Sequence, residues 1–441
     1  MRDRPTRSER LEKRAVLRAA PLFGGLALLG AGSSLVASLV ALQMTLRDFP
    51  EWTLGLVTAG FALGGIAGAN FAPRVVARVG HVRSFAALSA LLASVILLHA
   101  LVTGPAAWGL LRIATGILYY GVVLVAESWL NGIATDRSRG RLLAAYMIVF
   151  FGSAGLGQLA LNLGSARADD LFVVAGMVLA LAVVPMTLFR IRREPLDAVE
   201  ALSPRGLVRE RPKPVFGAFV AGVVAGTFYA LGAAFASRIG LGMRGTSLFM
   251  FSALAGALAL QWPIGWLSDH LPRKLVLSAA AAGTSAAAFA IAETPREPWL
   301  YAAAFAFGGL AFSLYPLCLS LAGDRLPASR SVGLSRSFLT VFAAGSAAGP
   351  LFTSVLLEPF GTRVIFAWPG TAAAVLALVA LFARRALPFL KQGFVSVPLG
   401  SLNASSMDPR QPPRGRNRPA THERADVTPG GDERPGCGVR T

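Results

Sequence analysis

The chain has 441 residues, 54% of them hydrophobic and only 15% charged, with a mean hydropathy of +0.58. A soluble domain carries about 25% charge, so these values exclude an ordinary soluble globule, and the repeated long apolar runs point instead to a multi-pass helical membrane protein. The net charge of +19 does not indicate nucleic acid as a partner, because 35 of the 42 Lys and Arg lie in the two terminal segments and the alternate connectors between apolar runs.

Twelve membrane helices are predicted. The first six cover about 19–44, 53–73, 83–103, 106–132, 142–163 and 170–190. The second six cover about 214–236, 246–268, 274–292, 298–322, 334–357 and 363–383. Each is long enough to cross a hydrocarbon core of about 30 Å at 1.5 Å per residue. A β-barrel would show alternating segments of about 10 residues instead. The basic connectors alternate with weakly charged ones, and the positive-inside rule then puts both termini in the cytoplasm. The basic stretch before the first apolar run is read as residues 1–18 of the mature chain, because that run is too long for a cleaved signal peptide.

Five features stand out along the first half. In the second predicted helix, Gly60-x-x-x-Gly64-x-x-x-Gly68 is a close-packing stripe. Its loop, ARVGHVR at 77–83, carries Arg78. In the fourth, Arg112, Gly116, Tyr119, Tyr120, Val123 and Glu127 share one helical face. If that helix enters near Pro105, Arg112 lies ~10 Å inside. A cation there costs at least ~2.5 kcal/mol and needs a cavity or partner, or else it snorkels to the interface. Its charge suits an anionic substrate group or a proton-coupled carboxylate. Glu127 lies some 22 Å further along the same axis. It is read either as a gate residue, with Arg78 and the Arg137/Arg139/Arg141 cluster nearby, or as a proton carrier. The fifth predicted helix contains GSAGLGQ, ending at Gln158.

A basic, Pro-containing linker at 191–213 separates the halves, 19–190 and 214–383. The segment 384–441 is rich in Pro, Arg, Gly and Ser and is expected to be disordered. GSA at Gly152–Ala154 recurs at Gly345–Ala347, and Asp136-Arg137 recurs as Asp324-Arg325, at a nearly constant offset. Two six-helix halves with both ends on one side are parallel repeats, with a site expected at their interface near the midplane. Asn70, Gln158, Asn162, Tyr229 and Gln261 are polar residues in apolar runs, each either cavity lining or an interhelical hydrogen bond.

The loop after the eighth predicted helix reads GWLSDHLPRK. Its Asp269 sits where it opposes the helix dipole, at a cost of about 0.3–1 kcal/mol, and so needs a partner: Arg273, or the start of the eleventh helix with Arg336. Gly265 permits close approach of another backbone, and GSAAGP in the eleventh helix offers one. Arg273 and Lys274 have two readings, a breakable gate or a turn whose cations meet anionic lipid headgroups.

The pattern Gly265-x-Leu267-Ser268-Asp269-His270-x-Pro272-Arg273-Lys274 resembles the loop signature of the major facilitator superfamily, G-x-L-a-D-r-x-G-r-[kr]. The stretches AESWLN and RGRLLAAYMI resemble a poorly characterised bacterial branch of that superfamily. The likeness spans about residues 20–385. His270 and Pro272 depart from the signature, and in the first-half loop Ala77 stands where the acid belongs. The resemblance implies an all-α membrane protein of twelve transmembrane helices in two six-helix parallel-repeat bundles. It implies a secondary active transporter in a bacterial inner membrane, moving a small organic solute by alternating access with proton or ion coupling. Arg112 resembles the arginine that many drug–proton antiporters of the superfamily carry in this helix, but GSAGLGQ lacks their Gly-Pro step.

The expected solute or coupling residues are Arg112, Tyr119, Tyr120, Gln158, Tyr229 and Gln261. The expected gating residues are Gly265, Asp269, Arg273, Lys274, Glu127, Arg78, Arg139 and Arg336. No cofactor is expected. Cys318 and Cys437 suggest no disulfide or metal spacing, the four His are scattered, and no Walker loop is present, so an enzyme is not expected. The partners expected are the solute, protons and the bilayer, with no nucleic acid and a monomeric chain. The alternative is a non-transporting receptor or scaffold of the same fold.

Overall fold

The computed structural model describes residues 7–133, 139–164, 169–188, 212–293, 298–323 and 331–382. Residues 191–211 of the predicted linker (191–213) and the tail, 384–441, lie outside them, as do Asp136, Arg137, Asp324 and Arg325; Pro212 and Lys213 instead open a helix. Regular structure among the described residues is helical. In chain order the helices are α1 (Arg7–Leu46), α2 (Glu51–Val79), α3 (His81–Leu101), α4 (Pro105–Ile133), α5 (Arg139–Leu159), α6 (Asp170–Thr187), α7 (Pro212–Arg238), α8 (Met243–His270), α9 (Arg273–Glu293), α10 (Trp299–Gly323), α11 (Ser331–Phe360) and α12 (Val364–Leu381). All twelve contain a stretch long and apolar enough to cross a membrane. Helix is the form these runs must take in hydrocarbon, because it satisfies every backbone N–H and C=O within the segment.

Several ends differ from the sequence reading. α1 starts at Arg7, well before the apolar run, and α2 continues past Pro73 to Val79. The apolar pattern stops there but the helix does not, since Arg78 in the last turn complements the helix dipole. A short 3₁₀ turn, Ala160–Leu163, extends α5. α6 breaks at Ala182, between Asp170–Leu181 and Val183–Thr187. Pro185 explains the break: its ring clashes with the carbonyl four residues back, Leu181, and it lacks an N–H. The chain there falls back on a bond from Ala182 N–H to the Leu179 carbonyl, 3.3 Å.

The two signature loops turn by different means. α2 and α3 are joined by Gly80 alone, at φ +84° and ψ 167°, a region open essentially to glycine. α8 and α9 are joined by Leu271 and Pro272. Leu271 is extended (φ −101°, ψ 164°), as a residue before proline prefers. The Pro272 carbonyl then accepts from Leu275 N–H at 2.8 Å and opens α9. His270 folds back, its Nδ1 2.8 Å from the Trp266 carbonyl and its ring 4.3 Å from that indole. Both departures from the signature thus have local roles in the turn.

The halves α1–α6 and α7–α12 pack by the same scheme. α2 lies on α4, α1 on α5, and α3 on α4 and α6; correspondingly α8 lies on α10, α7 on α11, and α9 on α10 and α12. Between halves, α2 meets α11, α5 meets α8, and α1 meets α7, so the cross-contacts obey the same pseudo-two-fold relation. Glycines mark the equivalent crossings. A Cβ on Gly64 would run into the Ile113 carbonyl, and one on Gly116 into that of Phe61. Their counterparts Gly256 and Gly308 meet the carbonyls of Phe305 and Ala253 in the same way. The α11 stretch GSAAGP packs on α7 through Gly345 and Gly349 and on α2 through Pro350, rather than on the α8 segment around Gly265.

Candidate functional site: a cavity between the two halves

Six helices leave a cavity where the halves meet. Gly30, Ser33, Ser34 and Ala37 come from α1; Thr58, Phe61 and Ala62 from α2; Arg112, Tyr119 and Tyr120 from α4; and Phe150 and Ala154 from α5. The second half supplies Ala225, Gly226, Tyr229 and Ala230 from α7 and Phe342 and Ser346 from α11. These positions fall near the middle of their helices. About 110 Å³ is open to the centre of a water-sized sphere, several times the ~10–15 Å³ that one water needs on this measure.

Four of the predicted residues, Arg112, Tyr119, Tyr120 and Tyr229, converge here. The α4 face brings three of them because positions 112, 119 and 120 recur at helical spacing. Arg112 is 5% exposed, and its guanidinium lies 4.6 Å from the Phe61 ring centre. Its Nε has no hydrogen-bond partner. Phe61 also packs on Tyr119 and Tyr120, each at 5.6 Å between ring centres. Gln158 stands behind the wall. It accepts from Ser38 Oγ at 2.7 Å and donates to the Ser34 carbonyl at 2.9 Å and to Ser34 Oγ at 2.6 Å, tying α5 to α1. Gln261 is buried in α8 and is not among the lining residues, and its Nε2 has no partner among the described residues. Asn70 is exposed near the end of α2. Ser33, Ser34, Thr58, Phe61, Phe342 and Ser346 carried no signal in the sequence: hydroxyls and Phe rings are common in apolar helices, and nothing local says which of them face inward.

The basic-loop end holds the predicted gating residues. Arg273 is buried (side chain 2% exposed), reaching the Ser320 carbonyl at the end of α10 at 3.0 Å and Asp269 at 3.5 Å. This links the α8–α9 turn to α10, inside the second half. Gly265 is buried in the last turns of α8, and Lys274 is half-buried at the start of α9. Glu127 is buried (1% exposed) and accepts from Tyr146 Oη of α5 at 2.7 Å. Arg78, its expected partner, is exposed and makes no ion pair with a described residue; its position near the end of α2 leaves it on the surface. The side chains of Arg139 and Arg336 lie outside the described residues.

The sequence matches the Major Facilitator Superfamily over residues 22–335 and again over 215–415. The chain belongs to the major facilitator superfamily. It is 29% identical over 364 residues to an uncharacterized MFS-type transporter of Enterobacter sp. (strain 638), covering 82% of this chain and 94% of that one. Its fold is similar to the crystal structure of the nucleoside transporter NupG, with a TM-score of 0.70, 13% identity, and coverage of 83% of this chain and 99% of the other. It is also similar to a bacterial homologue of the human lysosomal transporter Spinster in an inward-facing and unoccupied conformation, with a TM-score of 0.64, 14% identity, and coverage of 91% and 99%. The chain is a multi-pass membrane transporter of a poorly characterised branch, not an enzyme.

In this superfamily member the end away from the basic loops carries contacts that the sequence did not announce. Arg238 at the end of α7 donates to Glu51 at the start of α2 at 2.8 Å, crossing between halves. Asn162, just after α5, donates to Ser247 of α8 at 2.9 Å, also across. Gly55 of α2 sits against Ser354 and the Pro350 carbonyl of α11 with no room for a Cβ. Within the first half, Arg47 pairs with Asp169 and lies 5.4 Å from the Trp108 ring centre.

Proposed function

We propose that this protein is a secondary active transporter that carries a small organic solute through the cavity by alternating access, driven by a proton or ion gradient. The observation that carries this reading is the placement of the cavity. Both halves line it, near mid-helix, so a relative rocking of residues 19–190 against 214–383 would expose it to either face. Arg112, Tyr119, Tyr120 and Tyr229 contact the solute, and Gln158 holds the α1–α5 wall behind Ser34. The alternation of basic loops supports a topology with both termini in the cytoplasm of a bacterial inner membrane.

The two ends of the molecule take different parts in this cycle. At the outer end, Glu51–Arg238 and Asn162–Ser247 are the contacts to be broken for outward opening. At the cytoplasmic end, Asp269, Arg273 and the Ser320 carbonyl brace the second half, with Gly265 and Lys274 in the same turn. Glu127, which Tyr146 holds, belongs to the same gating set, and Arg78, Arg139 and Arg336 are its remaining cations. The protein works as a monomer.

The test is reconstitution into liposomes with an imposed proton or sodium gradient, scored for accumulation across a solute library. Gradient-driven uptake of at least one solute, slowed by Arg112→Gln, is the expected result. Binding of solutes without flux of any of them refutes the transporter reading.

A further inference from the structure

We infer that the solute is a small organic anion with a flat apolar body, and that Arg112 is the residue that recognises its charge. The inference rests on the proposed role of the cavity as the solute site. It goes further by fixing the sign of charge and the shape of what enters.

Arg112 is almost fully buried, yet its guanidinium makes no ion pair with a described residue. None of the cavity-lining residues is acidic, and its Nε has no hydrogen-bond partner. Burying such a cation at membrane depth is costly, and the Phe61 ring, 4.6 Å away, offsets only part of that cost. The nearest acid on the same helix, Glu127, is ~22 Å further along at 1.5 Å per residue and is engaged with Tyr146. The lining therefore carries a positive charge that no lining residue balances. A carboxylate, which accepts two parallel N–H bonds from a guanidinium, is the group that best neutralises it.

The other donors agree. The hydroxyls of Tyr119, Tyr120 and Tyr229 make no hydrogen bond to another described residue, although all three side chains line the cavity. A phenol can donate to an anionic oxygen while its ring packs on an apolar body. The rest of the wall is Phe61, Phe150 and Phe342 among Ala, Gly and four hydroxyls, of which Thr58 donates to the Leu54 carbonyl at 2.7 Å and Ser346 to that of Gly222 at 3.3 Å. An inorganic anion needs its whole hydration shell replaced by donors, and beyond the guanidinium and the phenols this wall leaves only Ser33 and Ser34. An organic acid brings an apolar body that the rings and methyl groups can hold instead.

The full chain in lipid nanodiscs is titrated with benzoate, phenylacetate and cinnamate, each beside its amide and its amine, with thermal stabilisation as the readout. At least one acid is expected to bind tenfold or more tightly than its amide, with no shift from its amine. Arg112→Gln should abolish that preference. Tyr120→Phe, which keeps the ring and removes one donor, should weaken the acid several-fold and leave the amide unchanged; it serves if the arginine variant does not fold. Any of three results overturns the inference: no acid preferred over its amide, an amine preferred, or an equal shift from sodium chloride alone. Counterflow of the labelled acid in proteoliposomes separates the two readings. Binding of the acid without counterflow refutes transport and leaves the anion site standing. Counterflow of an amide whose acid does not bind refutes the anion site and leaves transport standing.

Discussion

Replacing Glu51 by Gln should loosen the outer end of the molecule and expose the cavity from that side. The Arg238–Glu51 contact spans 2.8 Å, with side chains 20% and 37% exposed respectively. It is only half-formed: Glu51 Oε2 and Arg238 Nε are buried without partners among the described residues. A partly exposed, single-contact pair of this kind is worth about 0.5–1 kcal/mol after screening. At 1.36 kcal/mol per tenfold, its loss shifts the closed-to-open equilibrium at this end by about two- to fivefold. The assay is the rate at which a membrane-impermeant thiol reagent, added to that face, labels a Ser346→Cys side chain in the cavity, in a Cys318→Ser, Cys437→Ser background. Glu51→Gln and Arg238→Gln should each raise the rate by that factor, and the double variant should add little more. The exchanged pair, Glu51→Arg with Arg238→Glu, should return it toward the starting value. High salt should shrink the difference, because exposed charges are screened over about 8–10 Å. Unchanged labelling in both single variants would refute a latching role for this pair.

Gly64→Ala should destabilise the protein by about 1–3 kcal/mol, because its Cβ would overlap the Ile113 carbonyl and push α2 off α4. Gly60→Ala meets its nearest atoms at 3.2 Å and regains up to about 1 kcal/mol of helix propensity. Its melting temperature in detergent should stay near that of the parent, and equal losses at both positions would contradict the packing argument. Tyr146→Phe should cost about 1.5–3 kcal/mol, the usual worth of a hydrogen bond to a charged group, read in the same melts. Asp269→Asn should slow transport with little loss of stability, since Arg273 keeps its 3.0 Å bond to the Ser320 carbonyl. Arg273→Ala should lower the melting temperature clearly more, because it strands that carbonyl and empties a buried space. Equal melts for the two variants would refute the brace.

The helices were legible because each needs only a local run of apolar residues, and membrane insertion leaves no alternative to helix. The α4 stripe was legible because Arg112, Tyr119 and Tyr120 repeat at helical spacing. What faced them was not. Phe61 and Thr58 sit in a helix whose polar and aromatic positions have no fixed phase relative to α4 until the two are packed together. Glu51 and Arg238 are 187 residues apart at opposite ends of two unrelated runs, and only the arrangement of the halves joins them. Gln261 and Tyr229 looked alike in sequence, one polar residue in an apolar run. The turn of α7 points one into the cavity, while α8 buries the other elsewhere. Arg78 was matched with Glu127 by charge and proximity to the same face, yet helix continuation to Val79 carries it to the surface.

The repeat was conserved in packing and abandoned in polarity, and this difference bears on mechanism. The offset that carries Gly64 onto Gly256 and Gly116 onto Gly308 also carries Arg112 onto Ala304, Tyr120 onto Phe312 and Glu127 onto Leu319. All three counterparts are buried and apolar. Helix crossings must stay equivalent for two halves to rock about a shared axis, because a bulkier residue at either crossing would change one bundle's shape and not the other's. Charge recognition has no such constraint. On the proposed function, Arg112, Tyr119 and Tyr120 of α4 anchor an anion to the first half, while the second half presents Tyr229, Phe342 and Ser346 as a wall that can move. The solute's charged group would then keep its guanidinium while access changes, exchanging only the Tyr229 donor and the neighbours of its apolar body. Moving a salt bridge across the interface would cost desolvation twice in one cycle; moving a ring between aromatic walls exchanges one dispersion contact for another. On this account Ser346→Arg, which adds a cation to the second half's side of the cavity, should slow exchange of a bound organic acid even where it tightens binding. Faster counterflow in that variant would refute the one-sided anchor.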